Sequence, residues 1–244
     1  MAQYETIRTV GVGTRAQIDE GLRAHMNKVY GLMSVAMLVT GGVAWAVGTS
    51  DALLSILRNP AGGMTILGWV VMFAPLAMVF AFGAMINRLS YAAAQLFFYA
   101  FAAVMGLSLA WIFQVFTGAS IAQTFLVTSI AFASLSLWGY VTKRDLSGMG
   151  TFLMMGLVGL IVASLVNLWL GSMGLSFAIS VIGVLIFAGL TAYDTQRIKT
   201  DYIQHAQAMD QEWLGKSAIM GALNLYMDFL NLFMFLLQFL GNRE

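Results

Sequence analysis

The sequence of 244 residues contains no cysteine, only two prolines and only two histidines, and few of its residues are charged. Without cysteine the chain has no disulfide bond, no thiolate nucleophile and no cysteine-bound metal. Charged residues make up 9% of the chain, whereas an average soluble domain has about 25%. Both histidines, His25 and His205, lie outside the long apolar runs. Water is therefore not the main solvent of this protein.

Hydrophobic residues make up 60% of the chain, and the mean hydropathy is +0.83. A run of ~20 apolar residues with a rise of ~1.5 Å each can cross a hydrocarbon core ~30 Å thick. The pattern predicts an all-α integral membrane protein with seven transmembrane helices. The predicted spans are residues 29–47, 64–86, 92–114, 121–141, 151–170, 175–197 and 219–240.

The segments between the predicted spans are short, apart from one polar connection at residues 197–215. Residues 1–28 carry basic residues but lack the short apolar core and small-residue cleavage site of a signal peptide. We therefore interpret residues 1–28 as a cytosolic N-terminal tail that precedes one seven-helix domain at residues 29–240.

The basic residues predict the orientation of the chain, because cytoplasmic loops carry an excess of Lys and Arg. With the N-terminus in the cytosol, ten of the 12 basic residues fall on the cytosolic side. These ten are Arg8, Arg15, Arg23, Lys28, Arg88, Lys143, Arg144, Arg197, Lys199 and Lys216, and the two on the other side are Arg58 and Arg243. The C-terminus is therefore expected outside.

The last apolar run has a single ionisable residue, Asp228, near its middle. A carboxylate at bilayer depth costs several kcal/mol, so such a residue indicates a functional site. Gly221, Asn224, Asn231 and Gln238 lie on the same helical face as Asp228, because their spacing follows the helical repeat. This polar stripe must face protein or water rather than lipid.

A second acidic residue, Asp194, lies at the cytosolic end of the sixth span. Helices six and seven are consecutive and antiparallel, so Asp194 and Asp228 would share a depth if helix six extended to about Lys199. Two ionised carboxylates ~4 Å apart repel by about 4 kcal/mol at an effective dielectric constant of ~20. One proton would then be shared by the two groups, and its release would be a pH signal.

Three functions are compatible with an intramembrane pair of aspartates. The pair could be a protonation switch on a cation path, since carboxylate and amide oxygens suit calcium. It could be the catalytic dyad of an intramembrane aspartyl protease, or it could be structural in a protein that acts by binding other proteins. Tyr193 and Asp194 resemble the Tyr-Asp motif of presenilin-type proteases. The Gly-x-Gly-Asp motif of those proteases is absent, because Leu225-Tyr226-Met227 precede Asp228. Their Pro-Ala-Leu motif is absent too, because the two prolines of the chain are Pro60 and Pro75.

Two segments resemble the Bax inhibitor-1 family, also called the transmembrane Bax-inhibitor-motif family. They are residues 187–199 (FAGLTAYDTQRIK) and residues 221–233 (GALNLYMDFLNLF), with support from residues 140–148 (YVTKRDLSG) and 29–33 (VYGLM). The resemblance covers nearly the whole chain after the N-terminal tail and indicates a bacterial member. It implies a bundle in which the last helix is central and is wrapped by the other six.

The resemblance also implies a function, a pH-sensitive calcium leak in which Asp194 and Asp228 form the proton sensor. Arg88 would correspond to the family's latch arginine, which lies near the inner end of helix two. We therefore expect a calcium (cation) channel of the bacterial inner membrane, gated by the aspartate pair and supported by Asn224 and Asn231.

This expectation fixes the remaining assignments. We expect no enzyme activity, no tightly bound cofactor and no nucleic-acid partner. Calcium is the expected transported ion, held transiently by Asp194 and Asp228. Membrane lipid is expected to surround the protein. In some family members the described role is instead modulation of a membrane protease or of stress and cell-death partners. A regulatory membrane protein without its own flux is therefore the alternative.

Overall fold

The computed structural model describes residues 2–59, 63–205 and 210–242, with side chains from residue 17 onward. Helices account for almost all of this part of the chain, and its one extended pairing is an isolated bridge between Arg58 and Met64. The helices are α1 (Ala2–Gly48), α2 (Asp51–Leu57), α3 (Ile66–Met85), α4 (Tyr91–Leu109), α5 (Ile112–Val115), α6 (Gly118–Val141), α7 (Ser147–Leu170), α8 (Met173–His205) and α9 (Gln211–Leu240).

Seven helical segments in the described part of the chain are long and apolar enough to cross a membrane. They are α1 from Gln17 onward, α3, the stretch formed by α4 and α5 together, α6, α7, α8 and α9. The predicted all-α membrane fold with seven spans is thereby confirmed. Helix α2 is short and lies between the first two spans.

The N-terminal segment is not separate from the first span. Helix α1 begins at Ala2 and continues without interruption into the membrane segment, whereas the sequence predicts a tail at residues 1–28. The physical reason is packing, because Leu22 and Met26 are buried in the same apolar cluster as Tyr202 of α8. An apolar face that is covered in this way favours continuation of the helix.

The polar connection predicted at residues 197–215 is mostly helical. Helix α8 continues to His205 and α9 begins at Gln211; residues 206–209 lie outside the described residues. The side chain of Asp210 caps α9 by accepting a hydrogen bond of 2.7 Å from the backbone N–H three residues later. The extension of α8 meets the condition that the sequence set for Asp194 and Asp228 to share a depth.

Local signals that the sequence contains mark several of the helix ends. Thr117 caps α6 with its side-chain oxygen, and Gly171, with φ of 59°, ends α7 in the left-handed conformation. Helix α3 includes Pro75 and is continuous from Ile66 to Met85. The turn-forming residues 60–62 lie outside the described part of the chain.

The last helix, α9, is the centre of the bundle. In its most apolar stretch 61% of the residues are buried, against 17–39% in the other spans. Its main neighbours are α8, α1, α6 and α4. Helices α3 and α7 pack chiefly on α4 and α8 respectively, so they form an outer layer rather than part of a single ring. The membrane fold therefore places the one acidic residue in the transmembrane part of α9, Asp228, deep in protein.

Candidate functional site

Asp228 is the most secluded acidic side chain in the described part of the chain. It is 5% exposed, and its neighbours on α9, Leu225, Phe229 and Leu232, are each no more than 4% exposed. Its Oδ2 atom is completely buried and accepts no hydrogen bond from an N–H group or hydroxyl among the described residues. A buried carboxyl oxygen needs a partner, because leaving it unsatisfied costs about 1–3 kcal/mol or more.

The partner of Asp228 is the carboxyl group of Asp194 on α8. The two carboxyl groups interact with each other across the contact of α8 and α9. A hydrogen bond between them needs one proton on one of the two groups, because ionised carboxylates only accept hydrogen bonds. The structure therefore brings together the two acidic residues that the sequence singles out, and their geometry suits the sharing of one proton.

Three members of the polar stripe of α9, Gly221, Asp228 and Gln238, contact α8. Ser180 Oγ donates to Gln238 Oε1 at 3.2 Å near one end of the contact. Near the other end, a Cβ added to Gly221 would lie 3.1 Å from the side chain of Ile198. These contacts fix an antiparallel register, and Asp228 meets α8 between them. Because Gly221 has no side chain, the two helices can approach closely at this point.

The two asparagines of the stripe have different surroundings. Asn231 donates from Nδ2 to the backbone carbonyl of Met227 on its own helix at 2.8 Å. Asn224 is half-buried, one turn before Asp228. Among the described residues, neither asparagine side chain forms a hydrogen bond with Asp194 or Asp228. Asn224 and Asn231 therefore flank the pair without being part of its hydrogen bond.

Arg197 is the cation that acts on the pair. It lies one turn after Asp194 and interacts with its carboxyl group electrostatically, while its Nε atom lies 3.9 Å from Asp201. Arg88, the candidate latch, is exposed in the turn after α3 and forms no ion pair with any described residue. In this conformation the structure does not bring Arg88 to Asp194 or Asp228.

A chain of hydroxyl groups, which the sequence does not single out, holds the Asp194 turn of α8. Thr195 Oγ1 donates to the carbonyl of Thr191 at 2.8 Å, which uses its only hydrogen. Ser136 must therefore donate to Thr195 across 2.8 Å, and Tyr30 must donate to Ser136 across 2.5 Å. The chain joins α1, α6 and α8, and it positions the backbone next to Asp194.

The sequence contains a signal for the contact between α6 and α8. Ser120, Thr124, Thr128 and Ser136 recur at multiples of four residues on α6, and all four are buried. A small polar stripe of this kind in a membrane helix marks a face that packs against another helix. It does not say which hydroxyl bonds across the interface, because Thr128, for example, donates to the carbonyl of Thr124 on its own helix.

A second hydrogen-bonded group lies two residues from Asp228 along α9. Thr40 Oγ1 donates to the carbonyl of Ala102 at 2.8 Å, and it lies 2.6 Å from the hydroxyl of Tyr226. Tyr226 is completely buried and has its ring edge-on to Phe98 and Phe101. These contacts tie α9 to α1 and α4, on a different face from that of Asp228.

The pair offers a cation few ligands. Calcium takes six to eight oxygen atoms, and no group of three or more His, Cys, Asp or Glu side chains that could hold a metal occurs in the described part of the chain. A cation at Asp194 and Asp228 would therefore keep most of its water.

Comparison with known proteins identifies relatives along most of the chain. The model of the family described as "Inhibitor of apoptosis-promoting Bax1" matches residues 22–244. The inner membrane protein YbhL of Escherichia coli K12 is 46% identical over 224 residues, which cover 92% of this chain and 94% of that protein. An uncharacterised protein of Rickettsia prowazekii is 45% identical over 226 residues, with 93% and 92% covered. One from Caulobacter vibrioides is 44% identical over 232 residues, with 93% and 92% covered.

Proposed function

The chain belongs to the Bax inhibitor-1 family of membrane proteins, and from that premise we propose that it is a pH-sensitive calcium (cation) leak channel of the bacterial inner membrane. The gate is the pair formed by Asp194 and Asp228. The observation that carries the proposal is the contact between two carboxyl groups, one of them 5% exposed, on the central helix and its antiparallel neighbour.

Gating follows from the number of protons that the pair holds. With one shared proton, the hydrogen bond between Asp194 and Asp228 ties α9 to α8 and the path is shut. When that proton leaves, two carboxylates ~4 Å apart repel by about 4 kcal/mol at an effective dielectric constant of ~20. That energy is enough to change the ratio of open to shut channels by about a thousandfold. Flux therefore rises with pH.

The closed path fits the packing around Asp228. Leu225, Phe229 and Leu232 fill the interior next to the aspartate, each almost fully buried. A cation can pass only if α9 moves relative to its neighbours, and α8 is the neighbour that carries the second carboxyl group.

We place the N-terminus in the cytosol because most of the basic residues then fall on the cytosolic side. One of the two basic residues assigned to the other side, Arg243, lies outside the described residues.

The test is calcium flux into liposomes that contain the purified protein, measured from about pH 5 to pH 8, a range that spans ordinary carboxyl and imidazole titration. The wild-type flux is expected to rise with pH. In Asp194→Asn and Asp228→Asn an amide can donate to the remaining carboxylate at every pH, so flux should stay low across the range. Asp51→Asn is the control, because Asp51 is an exposed carboxylate in α2, outside the spans and away from Arg197.

The outcomes separate the two candidate functions. The same pH profile in both asparagine variants and in the wild-type protein would contradict the switch. Absence of calcium flux at every pH, in protein shown to be folded, would favour the alternative, a regulatory membrane protein that acts by binding a membrane protease or stress-related partners.

A further inference from the structure

A cavity of 970 Å³ lies between α1 and α6, and neither Asp194 nor Asp228 lines it. Its walls come from one face of each helix, and Phe229 of α9 contributes to its lining. Tyr30 and Ser136 also line it, and the hydrogen bond between them joins the two helices across it. We call this cavity the α1/α6 crevice. It lies within the membrane-spanning part of the bundle.

The length of the crevice and its position in the membrane suit a bound lipid molecule. Along α1 it extends from Arg23 to Gly42, which is about 28 Å at ~1.5 Å per residue, close to the ~30 Å of a hydrocarbon core. Large apolar side chains line it, among them Met37 and Phe125. At this depth the molecule that is available to fill an apolar space is lipid.

The two ends of the crevice differ in charge. Arg23 and Asn27 line one end, and no carboxylate lines any part of it. The segment that follows α6, at the same end of the bundle, carries Lys143, Arg144 and Asp145, all of them exposed. The nearest acidic residues on α1 are Asp19 and Glu20, which are exposed and do not line the crevice. The Arg23 end is therefore basic, as a phosphate-bearing headgroup requires.

We propose that the α1/α6 crevice binds one anionic phospholipid, with its phosphate at Arg23 and Asn27 and an acyl chain along α1 as far as Gly41 and Gly42. Lipid bound here would lie against Phe229, on the same helix as Asp228. The site is distinct from the proton-sensing pair, and it does not depend on whether the protein conducts calcium.

Two glycines supply a test that leaves the protein core intact. A Cβ added at Gly41 or Gly42 would meet no atom of the protein within 4 Å, so a large side chain there fills the crevice rather than the core. Gly31 is on the same helix, also has open space around it, and does not line the crevice. Gly41→Leu and Gly31→Leu are therefore a matched pair.

The experiment titrates delipidated protein in detergent with phosphatidylglycerol or phosphatidylcholine and counts bound lipids by native mass spectrometry. Wild-type protein and Gly31→Leu should each hold one phosphatidylglycerol tightly, and Gly41→Leu should lose it. Arg23→Gln should keep a bound lipid but weaken phosphatidylglycerol about fivefold relative to phosphatidylcholine, since one Arg near the membrane surface contributes ~1 kcal/mol.

Each contrary result overturns a stated part of the proposal. Equal lipid retention by Gly41→Leu and Gly31→Leu would show that no lipid chain occupies the crevice. No preference for phosphatidylglycerol in the wild-type protein, or an unchanged preference in Arg23→Gln, would contradict the headgroup assignment. Displacement of the lipid by inorganic phosphate alone would show that the acyl chain contributes nothing. Thermal unfolding of every variant confirms that differences in lipid binding come from folded protein.

Discussion

The hydrogen bonds of Thr40 predict an order of stability among three variants. Its single hydroxyl hydrogen is used in the bond to the carbonyl of Ala102 at 2.8 Å. The hydroxyl of Tyr226, 2.6 Å away, must therefore be the donor to Thr40 Oγ1. Thr40 is 3% exposed and Tyr226 is completely buried, so neither group has water as a ready substitute.

Tyr226→Phe removes one donor and leaves the bond between Thr40 and Ala102 intact. Hydrogen bonds between membrane helices contribute about 0.6 kcal/mol on average and up to about 1.7 kcal/mol, and this range is the expected loss in the free energy of unfolding. Thr40→Val removes both bonds and leaves the hydroxyl of Tyr226 unsatisfied, whereas the carbonyl of Ala102 remains an acceptor within α4. Its expected cost is larger, about 2–4 kcal/mol, because the buried unpaired hydroxyl costs about 1–3 kcal/mol and the bond to Ala102 is lost as well.

The double variant Thr40→Val/Tyr226→Phe should be no less stable than Thr40→Val alone, because the second change removes the unpaired hydroxyl. The assay is reversible unfolding in mixed micelles, or steric trapping in bicelles, with the four proteins arranged as a double-mutant cycle. Additive losses in the double variant, or a larger loss for Tyr226→Phe than for Thr40→Val, would refute the assignment of donor and acceptor.

Two further predictions concern the contact of α6 with α8 and the loop that follows α6. A Cβ on Gly139 would overlap the carbonyl oxygen of Ala192, so Gly139→Ala should lower the free energy of unfolding by about 1–3 kcal/mol. Gly118→Ala is the control, because an added Cβ there meets nothing within 4 Å. Unfolding measurements should find no loss of stability in that variant. Hydrogen bonds from the side chain and backbone of Ser147 lower the pKa of Asp145, so Ser147→Ala should raise that pKa toward its ordinary value in a carboxyl NMR titration. Because the pKa is lowered in the folded protein, this bond stabilises the loop above the ordinary pKa of Asp and is lost as the pH falls through the lowered pKa; an unchanged titration would contradict the role of the hydroxyl.

The meeting of Asp194 and Asp228 could be predicted from the sequence because it follows from simple geometry. The helical repeat aligns the polar stripe of α9, and a consecutive antiparallel helix is its natural neighbour. The missing information was the length of α8, since the polar residues up to His205 read as a connection rather than as helix. Packing against the first part of the membrane-spanning stretch of α1, through residues such as Met26, keeps that segment of α8 helical.

The hydroxyl contacts could not be predicted because Ser and Thr in membrane helices have a local alternative. Ser129, Ser134 and Ser164 each donate to the carbonyl four residues earlier on their own helix. The stripe on α6 marks the face that carries Ser136, but it does not say which hydroxyl bonds to another helix, and nothing in the local sequence marks Thr40. The difference lies in which helix face is covered, and only the assembled bundle decides that.

Arg88 shows the same limit for a charged residue. Its place in the sequence, at the end of the second span, fits both a surface anchor and a latch for the aspartates. The outcome depends on the direction in which the turn after α3 points the side chain, and the structure leaves it exposed. The α1/α6 crevice is a further example, because it depends on two helices that are not consecutive.

The most direct test of the central claim is to observe the shared proton. Infrared difference spectroscopy of the protein in lipid, from about pH 5 to pH 8, should detect the carbonyl stretch of a protonated carboxyl group that disappears as the pH rises. The band should be absent from the Asp194→Asn/Asp228→Asn double variant, and its loss should follow the rise of calcium flux. A pair with no protonated carboxyl band in this range, or a band that titrates without any change in flux, would contradict the account.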